Sequence, residues 1–245
     1  MKMAKSFTAF FRHIDYRFIL AWILIGLKSL VISFLILSFY FTICFSFINP
    51  QRTPLMLFRG WEQAREGKSS GYMHEWVPIE QISPHLILAV VSSEDNRFTV
   101  HYGIDFGAIR KAREFNQRST RRKRGASTIT QQTAKNIFLW PTRSYIRKGF
   151  EVYFTLMIET FWSKKRIMEV YLNMIEMGPG IYGAEAASRY YFRKPASKLT
   201  KGEAALIAIS LPNPRRRNPA RPTAYMYQRQ QEILTLMRKI GKVEL

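Results

Sequence analysis

Residues 83–97 read SPHLILAVVSSEDNR, and this stretch decides what kind of fold the chain can form. Ser83 followed by Pro84 is typical of a helix start, because serine caps the first turn and proline fits the first helical position. The apolar run that follows predicts a helix that ends near Glu94, where two adjacent acids appear. A carboxylate at such an edge is partly desolvated and suits a general base, although a solvated helix end has the same pattern.

Further helix signals follow toward the C-terminus. The spacing predicts helices from Asp105 to about Asn116, from Ser127 or Thr128 onward, from Ser144 to Trp162, and from Ser163 to about Met177. Two later helices are predicted from Thr200, where Glu203 completes a capping box, and from Pro222 to Gly241. Strand signals are few and short. The chain after residue 72 is therefore predicted to be mostly α, without internal repeats.

An almost uninterrupted apolar run covers residues 18–48. After Lys28 about 20 residues carry no charge, which is enough to cross the hydrocarbon core of a bilayer. Basic residues outnumber acidic ones before the run, so residues 1–17 are expected in the cytoplasm. A signal peptide would show a cleavage site and a buried core helix would be shorter, so we expect an uncleaved single-span anchor. Residues 49–74 are then a juxtamembrane connector, and residues 75–245 a single domain.

The composition points to an anionic partner. The 245 residues include 38 Lys and Arg against 17 Asp and Glu, which gives a net charge of +21. Residues 1–48 hold five of these bases and one acid, so the remainder keeps a charge of +17. Nucleic acid, a membrane surface and a phosphorylated substrate all fit this charge, but export makes nucleic acid a poor candidate. One cysteine excludes a disulfide scaffold and a cysteine-built zinc site.

Two further segments carry chemistry. Residues 125–136, GASTITQQTAKN, place small and hydroxyl residues at a helix start before Lys135, which suits either anion binding or an ordinary cap. Residues 143–151, RSYIRKGFE, place Lys148 and Glu151 three residues apart on one helix face. Such a cationic clamp beside a carboxylate suits a phosphorylated leaving group, and a surface salt bridge is the simpler alternative.

Four blocks together resemble one family in order and spacing: EDNRFTVHYGID, GASTITQQTAKN, RKGFE and KKRIMEVYLNMIEMGPGIYGAEAAS. They are similar to the motifs of the peptidoglycan glycosyltransferases, which occur alone or as the N-terminal half of bifunctional penicillin-binding proteins. The resemblance covers about residues 75–215 and implies a lysozyme-like helical domain preceded by one transmembrane helix. The chain shows Gly125-Ala126 where the family usually has two glycines. It shows no SxxK, SDN and KTG set, so it resembles the monofunctional form without transpeptidase activity.

The resemblance also implies a reaction and a set of site residues. The family joins lipid II units by inverting transfer of the growing chain to the GlcNAc 4-hydroxyl, forming β-1,4 bonds and releasing undecaprenyl pyrophosphate. The implied catalytic carboxylates are Glu94, as the general base, and Glu151, near the pyrophosphate. The implied substrate-binding residues are Asp95, Arg97, Ser127, Gln132, Lys135, Arg143 and Lys148. His101 is expected to orient the loop that carries Glu94.

Cofactors, partners and location follow from the same resemblance. No cofactor is required by the sequence, and no metal site is certain, although Glu151 beside a pyrophosphate leaves room for Mg²⁺ or Mn²⁺. The expected partners are lipid II, the growing glycan chain, the membrane and proteins of cell-wall synthesis or division, but not nucleic acid. The expected location is the bacterial cytoplasmic (inner) membrane, with the catalytic domain on its outer, periplasmic face.

Two other functions stay open at this point. One is a lysozyme-like enzyme that cleaves glycan, and the other is a non-catalytic, membrane-anchored scaffold that binds wall polymer. The cleaving enzyme has no use for a pyrophosphate clamp, so Lys135, Arg143 and Lys148 favour the transferase over it. A scaffold would not require Glu94 and Glu151 together with these cations.

Overall fold

The computed structural model describes residues 16–67, 71–119, 123–142 and 144–245, and it divides into two compact units between Phe47 and Ile48. The described part of the first unit is helix α1, Tyr16–Phe47. Within the described ranges, α1 is the one helix long and apolar enough to cross a membrane. Most of its large apolar side chains are exposed, as expected where lipid replaces water. This helix is compatible with the single-pass anchor predicted over residues 18–48.

The second unit consists of helices and a small sheet. Its helices are α2 (Pro54–Arg65), α3 (Pro84–Glu94), α4 (Phe106–Arg118), α5 (Ile129–Phe138), α6 (Tyr145–Phe161), α7 (Lys164–Met174), α8 (Ala184–Phe192), α9 (Lys201–Ser210) and α10 (Ala224–Ile240). Short 3₁₀ turns lie at Ile79–Gln81 and Ala196–Lys198. The prediction of a mostly α fold is confirmed. Helix α2 lies inside the predicted connector, and α8 was not predicted.

Side-chain caps begin the helices where the sequence predicts them. The confirmed N-caps are Ser83, Asp105, Thr128, Ser144, Ser163 and Thr200. Each side chain accepts a hydrogen bond from a backbone N–H of the first turn, which has no partner inside the helix. The last helix begins at Ala224 with Thr223 as its cap, slightly later than the predicted start at Pro222.

The sheet corrects one predicted boundary. Helix α7 ends at Met174 rather than near Met177, because strand β2 (Glu176–Gly178) begins almost at once. The order in the sheet is β1–β3–β2, where β1 is Met73–His74 and β3 is Ile181–Tyr182. Strand β3 pairs parallel with β1 and antiparallel with β2.

Helix α3 packs against both α9 and α10. Its residues Leu86, Ala89 and Val90 are fully buried. Helix α5 packs against α6 and α7. The C-terminal end of α3 therefore brings Glu94 to the edge of a packed core instead of a free helix end.

Asn173, on α7, ties the segment before α3 to the helical core. Its Oδ1 accepts a hydrogen bond from Val77 N at 3.0 Å, and its Nδ2 donates to Val77 O and Glu169 O at 2.9 Å each. The Asn173 side chain is fully buried. Gly183 packs closely on the same residue, since a Cβ there would lie 2.5 Å from Asn173 O and its φ is +85°.

We expect Asn173→Ala to lower the free energy of unfolding by about 2–4 kcal/mol, because the buried N–H and C=O of Val77 lose their partners. Thermal unfolding of the full chain in detergent, followed by circular dichroism, measures the change. The control is Asn213→Ala, which alters an exposed asparagine and should change stability by less than about 0.5 kcal/mol. Equal melting temperatures for the two variants would show that the hydrogen bonds between Asn173 and Val77 do not stabilise the fold.

Candidate active site

Glu94, the last residue of α3, lines a cavity of about 570 Å³. Basic side chains share the wall of this cavity with it: Lys123, Arg124, Arg217 and Arg229. Tyr225 and Gln228, from α10, add an aromatic ring and an amide. A carboxylate surrounded by cations and hydrogen-bonding groups in a concave site can accept a proton from a polar, anionic ligand.

Gln132, on α5, connects Glu94 to the core. Its Nε2 donates a hydrogen bond to Glu94 Oε2 at 2.9 Å. Its Oε1 accepts a hydrogen bond from the hydroxyl of Tyr171 at 3.3 Å, and Tyr171 is almost fully buried. An ionised carboxylate can only accept, so the amide nitrogen faces Glu94 and the amide oxygen faces the tyrosine hydroxyl. Gln132 thus holds the carboxylate in one orientation.

The surroundings raise the pKa of the Glu94 carboxyl above its usual value. Burial is the largest cause, and the negative charge of Asp95 adds to it. The hydrogen bond from Gln132 and the charges of Arg217 and Arg229 act in the opposite direction. A carboxylate with a raised pKa is a stronger base than an exposed one, which fits proton abstraction near neutral pH.

Asp95 makes tertiary contacts that the sequence did not reveal. Its side chain is buried, and Oδ1 accepts a hydrogen bond from His101 Nε2 at 2.8 Å. Its Oδ2 accepts from the backbone N–H of Ile129, the first residue of α5, at 3.0 Å. Asp95 therefore joins the loop after α3 to the start of α5. His101 is part of this tie, in line with the orienting role expected for it.

Arg97 and Ser127, two predicted substrate-binding residues, lie on the surface. The Arg97 side chain is 57% exposed, and its Nη1 lies 3.6 Å from Oδ1 of Asp105, the cap of α4. Ser127 is exposed next to Thr128, the cap of α5. Both positions leave these polar groups accessible to a ligand, and their role in binding stays a prediction.

Glu151 lies on α6 between two cations. Lys148 Nζ donates to Glu151 Oε1 at 2.5 Å, and Arg147 Nη1 donates to Glu151 Oε2 at 2.7 Å. The carboxylate is buried, whereas the Lys148 side chain is 45% exposed. The structure thus joins Lys148 and Glu151 as their spacing predicts, and it leaves one face of the lysine open to an anion. Arg143, the remaining predicted member of this group, lies outside the described residues.

Lys135 lines a separate, smaller cavity. It lies in the last turn of α5 and shares a space of about 200 Å³ with Arg59 of α2 and Glu176 of β2. Gln132 and Lys135 are three residues apart on α5, so this helix both supports Glu94 and contributes a cation to the smaller cavity.

A metal ion at Glu151 would compete with Arg147 and Lys148 for the carboxylate oxygens. Both oxygens of its carboxylate already accept hydrogen bonds from cations. Over the ranges that the structure describes, no group of three or more His, Cys, Asp and Glu side chains is placed to hold a metal ion.

Sequence reasoning missed the basic residues that come from the C-terminal part of the chain. Arg217 and Arg229 are more than a hundred residues away from Glu94 along the chain. Packing of α10 against α3 brings Arg229 to the cavity, and Arg217 comes from the segment before α10, where its Nη1 donates to Ile209 O. The basic run at 215–217 was the available signal. Lys123 and Arg124 belong to the basic stretch 118–124, of which residues 120–122 lie outside the described part.

Comparisons with known proteins agree on one family. A family model described as transglycosylase matches residues 62–238. A protein named biosynthetic peptidoglycan transglycosylase in Bacteroides thetaiotaomicron is 54% identical over 215 residues, which are 88% of this chain and 86% of the relative. Proteins of the same name are 50% identical in Bdellovibrio bacteriovorus, over 83% of this chain and 81% of the relative, and 47% identical in Aeromonas hydrophila, over 91% and 94%.

We expect Asp95→Asn to lower the free energy of unfolding by about 2–3 kcal/mol, because an amide cannot accept from both His101 and Ile129 N–H. Thermal unfolding of the full chain in detergent measures this. Arg97→Gln, at an exposed neighbour, is the control and should change stability by less than about 0.5 kcal/mol. An unchanged melting temperature for Asp95→Asn would show that the contacts of Asp95 do not stabilise the fold.

Proposed function

The chain belongs to the transglycosylase family, and we propose that it polymerises lipid II into peptidoglycan glycan strands. The donor is a growing chain that carries undecaprenyl pyrophosphate at C1 of its terminal MurNAc. The 4-hydroxyl of GlcNAc on the acceptor lipid II attacks this carbon, inverts it, and forms a β-1,4 bond. The observation that carries the proposal is Glu94, a carboxylate with a raised pKa in a cavity lined by cations.

Glu94 acts as the general base in this reaction. It takes the proton of the acceptor hydroxyl as the oxygen attacks, in the way that an inverting glycosidase activates water. The hydrogen bond from Gln132 keeps the carboxylate oriented for this transfer. Arg217 and Arg229 attract the anionic substrate and act against the rise of the pKa of Glu94.

Lys135 and Lys148 bind the pyrophosphate of the donor, together with Arg143. Negative charge builds on this group as the bond at C1 breaks, and fixed cations stabilise that charge in the transition state. Glu151 holds Lys148 by the ion pair between them and so acts on the leaving group through the lysine. An enzyme that only cleaves glycan meets no pyrophosphate, so this cationic group supports a transferase.

Helix α1 anchors the enzyme where its lipid-linked substrate lies. The basic N-terminal residues are placed in the cytoplasm, and the domain that follows is placed on the outer face of the bacterial cytoplasmic membrane. The strongly basic exported part suits a surface of anionic lipids. The partners are lipid II, the growing glycan chain and the membrane.

Polymerisation of labelled lipid II by the full chain in detergent tests the function. We expect glycan polymer from the parent and a loss of at least about 10²-fold in rate for Glu94→Gln, which keeps the shape of the side chain but cannot accept the proton. The control is Glu232→Gln, a partly exposed carboxylate on α10 that lines the same cavity. Equal rates for the parent and Glu94→Gln would remove Glu94 from the role of base, and no polymer from the parent would contradict the function.

The pH dependence of the rate gives a separate prediction. The base must be deprotonated, so the rate should fall on the acidic side as Glu94 takes up a proton. Gln132 lowers the pKa of Glu94, and Gln132→Leu should therefore move this acidic limb to higher pH. The control is Gln231→Leu, on the exposed side of α10. A limb that stays in place in Gln132→Leu would contradict the effect of Gln132 on the pKa of Glu94, even if the overall rate falls.

A further inference from the structure

A third cavity, of about 630 Å³, lies at the opposite end of α3 from Glu94. Its wall consists of the first turns of α3, the start of α9, the last turns of α10 and residues 241–243. These three helices pack on one another, so the cavity is a groove on a packed core, and we call it the C-terminal groove. Among the residues that the structure describes, it shares no lining residue with the cavity of Glu94.

Aliphatic side chains form the floor of the C-terminal groove. They are Ile87 and Leu88 of α3, Leu234 and Met237 of α10, and Val243 beyond α10. Met237 is buried, whereas the other four are half-buried. The core therefore holds these residues in place while part of their apolar surface stays open to a ligand, as is usual at an interaction site.

Gly241 shapes one side of the groove. Helix α10 ends at Ile240, and Gly241 has a φ of +76°, a left-handed conformation that glycine adopts without strain. A Cβ at this position would meet nothing within 4 Å, so conformation and not space favours glycine here. The turn brings the following residues to the groove, where Val243 is half-buried between the exposed Lys242 and Glu244.

The rim of the C-terminal groove is basic. Its charged and titratable side chains are His85, Lys201, Arg238 and Lys242, and no Asp or Glu lines it within the described ranges. No described carboxylate forms an ion pair with Lys201 or Arg238. Lys242 and Glu244 are 3.5 Å apart, but both side chains are 84% exposed, so water screens this pair. The cations of the rim are therefore available to negative charges on a ligand.

Charge and shape together decide between three occupants. A second copy of this chain has a net charge of +21 and is repelled by the basic rim. A membrane surface favours Trp and Tyr at the level of the headgroups, and no Phe, Tyr or Trp of the described part lines the groove. An amphipathic helix of another protein fits the groove, because such a helix presents apolar anchors on one face with charged residues beside them.

We propose that the C-terminal groove binds an acidic amphipathic helix of a partner protein. Aliphatic residues of that helix pack on Ile87, Leu88 and Leu234, and its acidic residues pair with Lys201 and Arg238. This inference goes beyond the proposed function and does not depend on it. Because the groove and the cavity of Glu94 are separate, the partner docks while the catalytic cavity stays open to substrate.

Selection from a display library of amphipathic peptides by the full chain in nanodiscs tests the occupant. The peptides are about 15 residues long, carry Leu or Ile at i, i+3, i+4 and i+7, and are random elsewhere. We expect the selected peptides to hold at least about twice as many acidic as basic residues at the random positions, because the rim is basic. Selection of neutral or basic peptides, or of none, overturns the proposal.

Binding of a selected peptide, labelled with fluorescein, locates the site on the chain. We expect Arg238→Glu to weaken binding about tenfold, because an ion pair becomes a repulsion. The matched control is Lys239→Glu, which makes the same charge change in the same turn of α10 but outside the groove, and it should weaken binding less than about twofold. Equal losses in the two variants would show that the peptide follows the net charge of the chain, and would overturn the proposal.

Leu234→Ser tests the apolar floor in the same assay. We expect it to weaken peptide binding about tenfold, because an anchor of the helix loses its apolar contact. Leu156→Ser, at a leucine of α6 that is 44% exposed, is the control and should change binding less than about twofold. Polymerisation of labelled lipid II at the parent's rate by all four variants verifies that the fold is intact. Equal binding by Leu234→Ser and the parent overturns the proposal.

Hydrogen exchange of the full chain in nanodiscs distinguishes the other two occupants. We expect the selected peptide to slow exchange at the amides of Lys242 and Val243, which lie at the groove. If anionic lipid slows this exchange without peptide, relative to zwitterionic lipid, the membrane occupies the groove. If a higher protein concentration slows it without peptide, a second copy does. Either result overturns the proposal.

Discussion

A buried carboxylate is stable only when hydrogen-bond donors surround it, and the donors to Asp95 join the segments of the catalytic region. It accepts from His101 in the loop after α3 and from the first N–H of α5. This fixes the start of α5 against the end of α3, and Gln132, one turn further along α5, thereby reaches Glu94. The position of the proposed base thus depends on Asp95, its neighbour in the sequence.

Acidic residues are few in this domain, and buried ones accept hydrogen bonds from nearby side chains. Glu151 accepts from Arg147 and Lys148, and Glu159 accepts from Thr130 and Lys164. Glu94 differs, because its described hydrogen bond comes from a neutral amide and burial raises its pKa. A buried carboxylate whose hydrogen bond comes from a neutral group changes its protonation more readily than one that accepts hydrogen bonds from cations.

Helix starts were predictable because a cap is a local interaction. Ser144 and Ser163 bond within the next three residues, so the pattern is complete in the sequence. The predicted end of α7 was wrong because strand β2 forms only by pairing with β3. Helix α8, which follows β3, was not predicted either. The Lys148–Glu151 pair was predictable for the same local reason, since both lie on one helix face.

The sequence by itself determined the mostly helical class, the apolar anchor helix, the family and the acids and bases that carry its motifs. Only the tertiary structure decided how those residues meet. It placed Arg217 and Arg229 beside Glu94 and put Lys135 with Arg59 and Glu176 in a second cavity. It also gave Asp95 hydrogen bonds to His101 and to the start of α5, while its role toward the substrate stays a prediction. The physical reason is that caps and helix faces depend on residues three or four apart, whereas burial and electrostatic contacts depend on segments that packing unites.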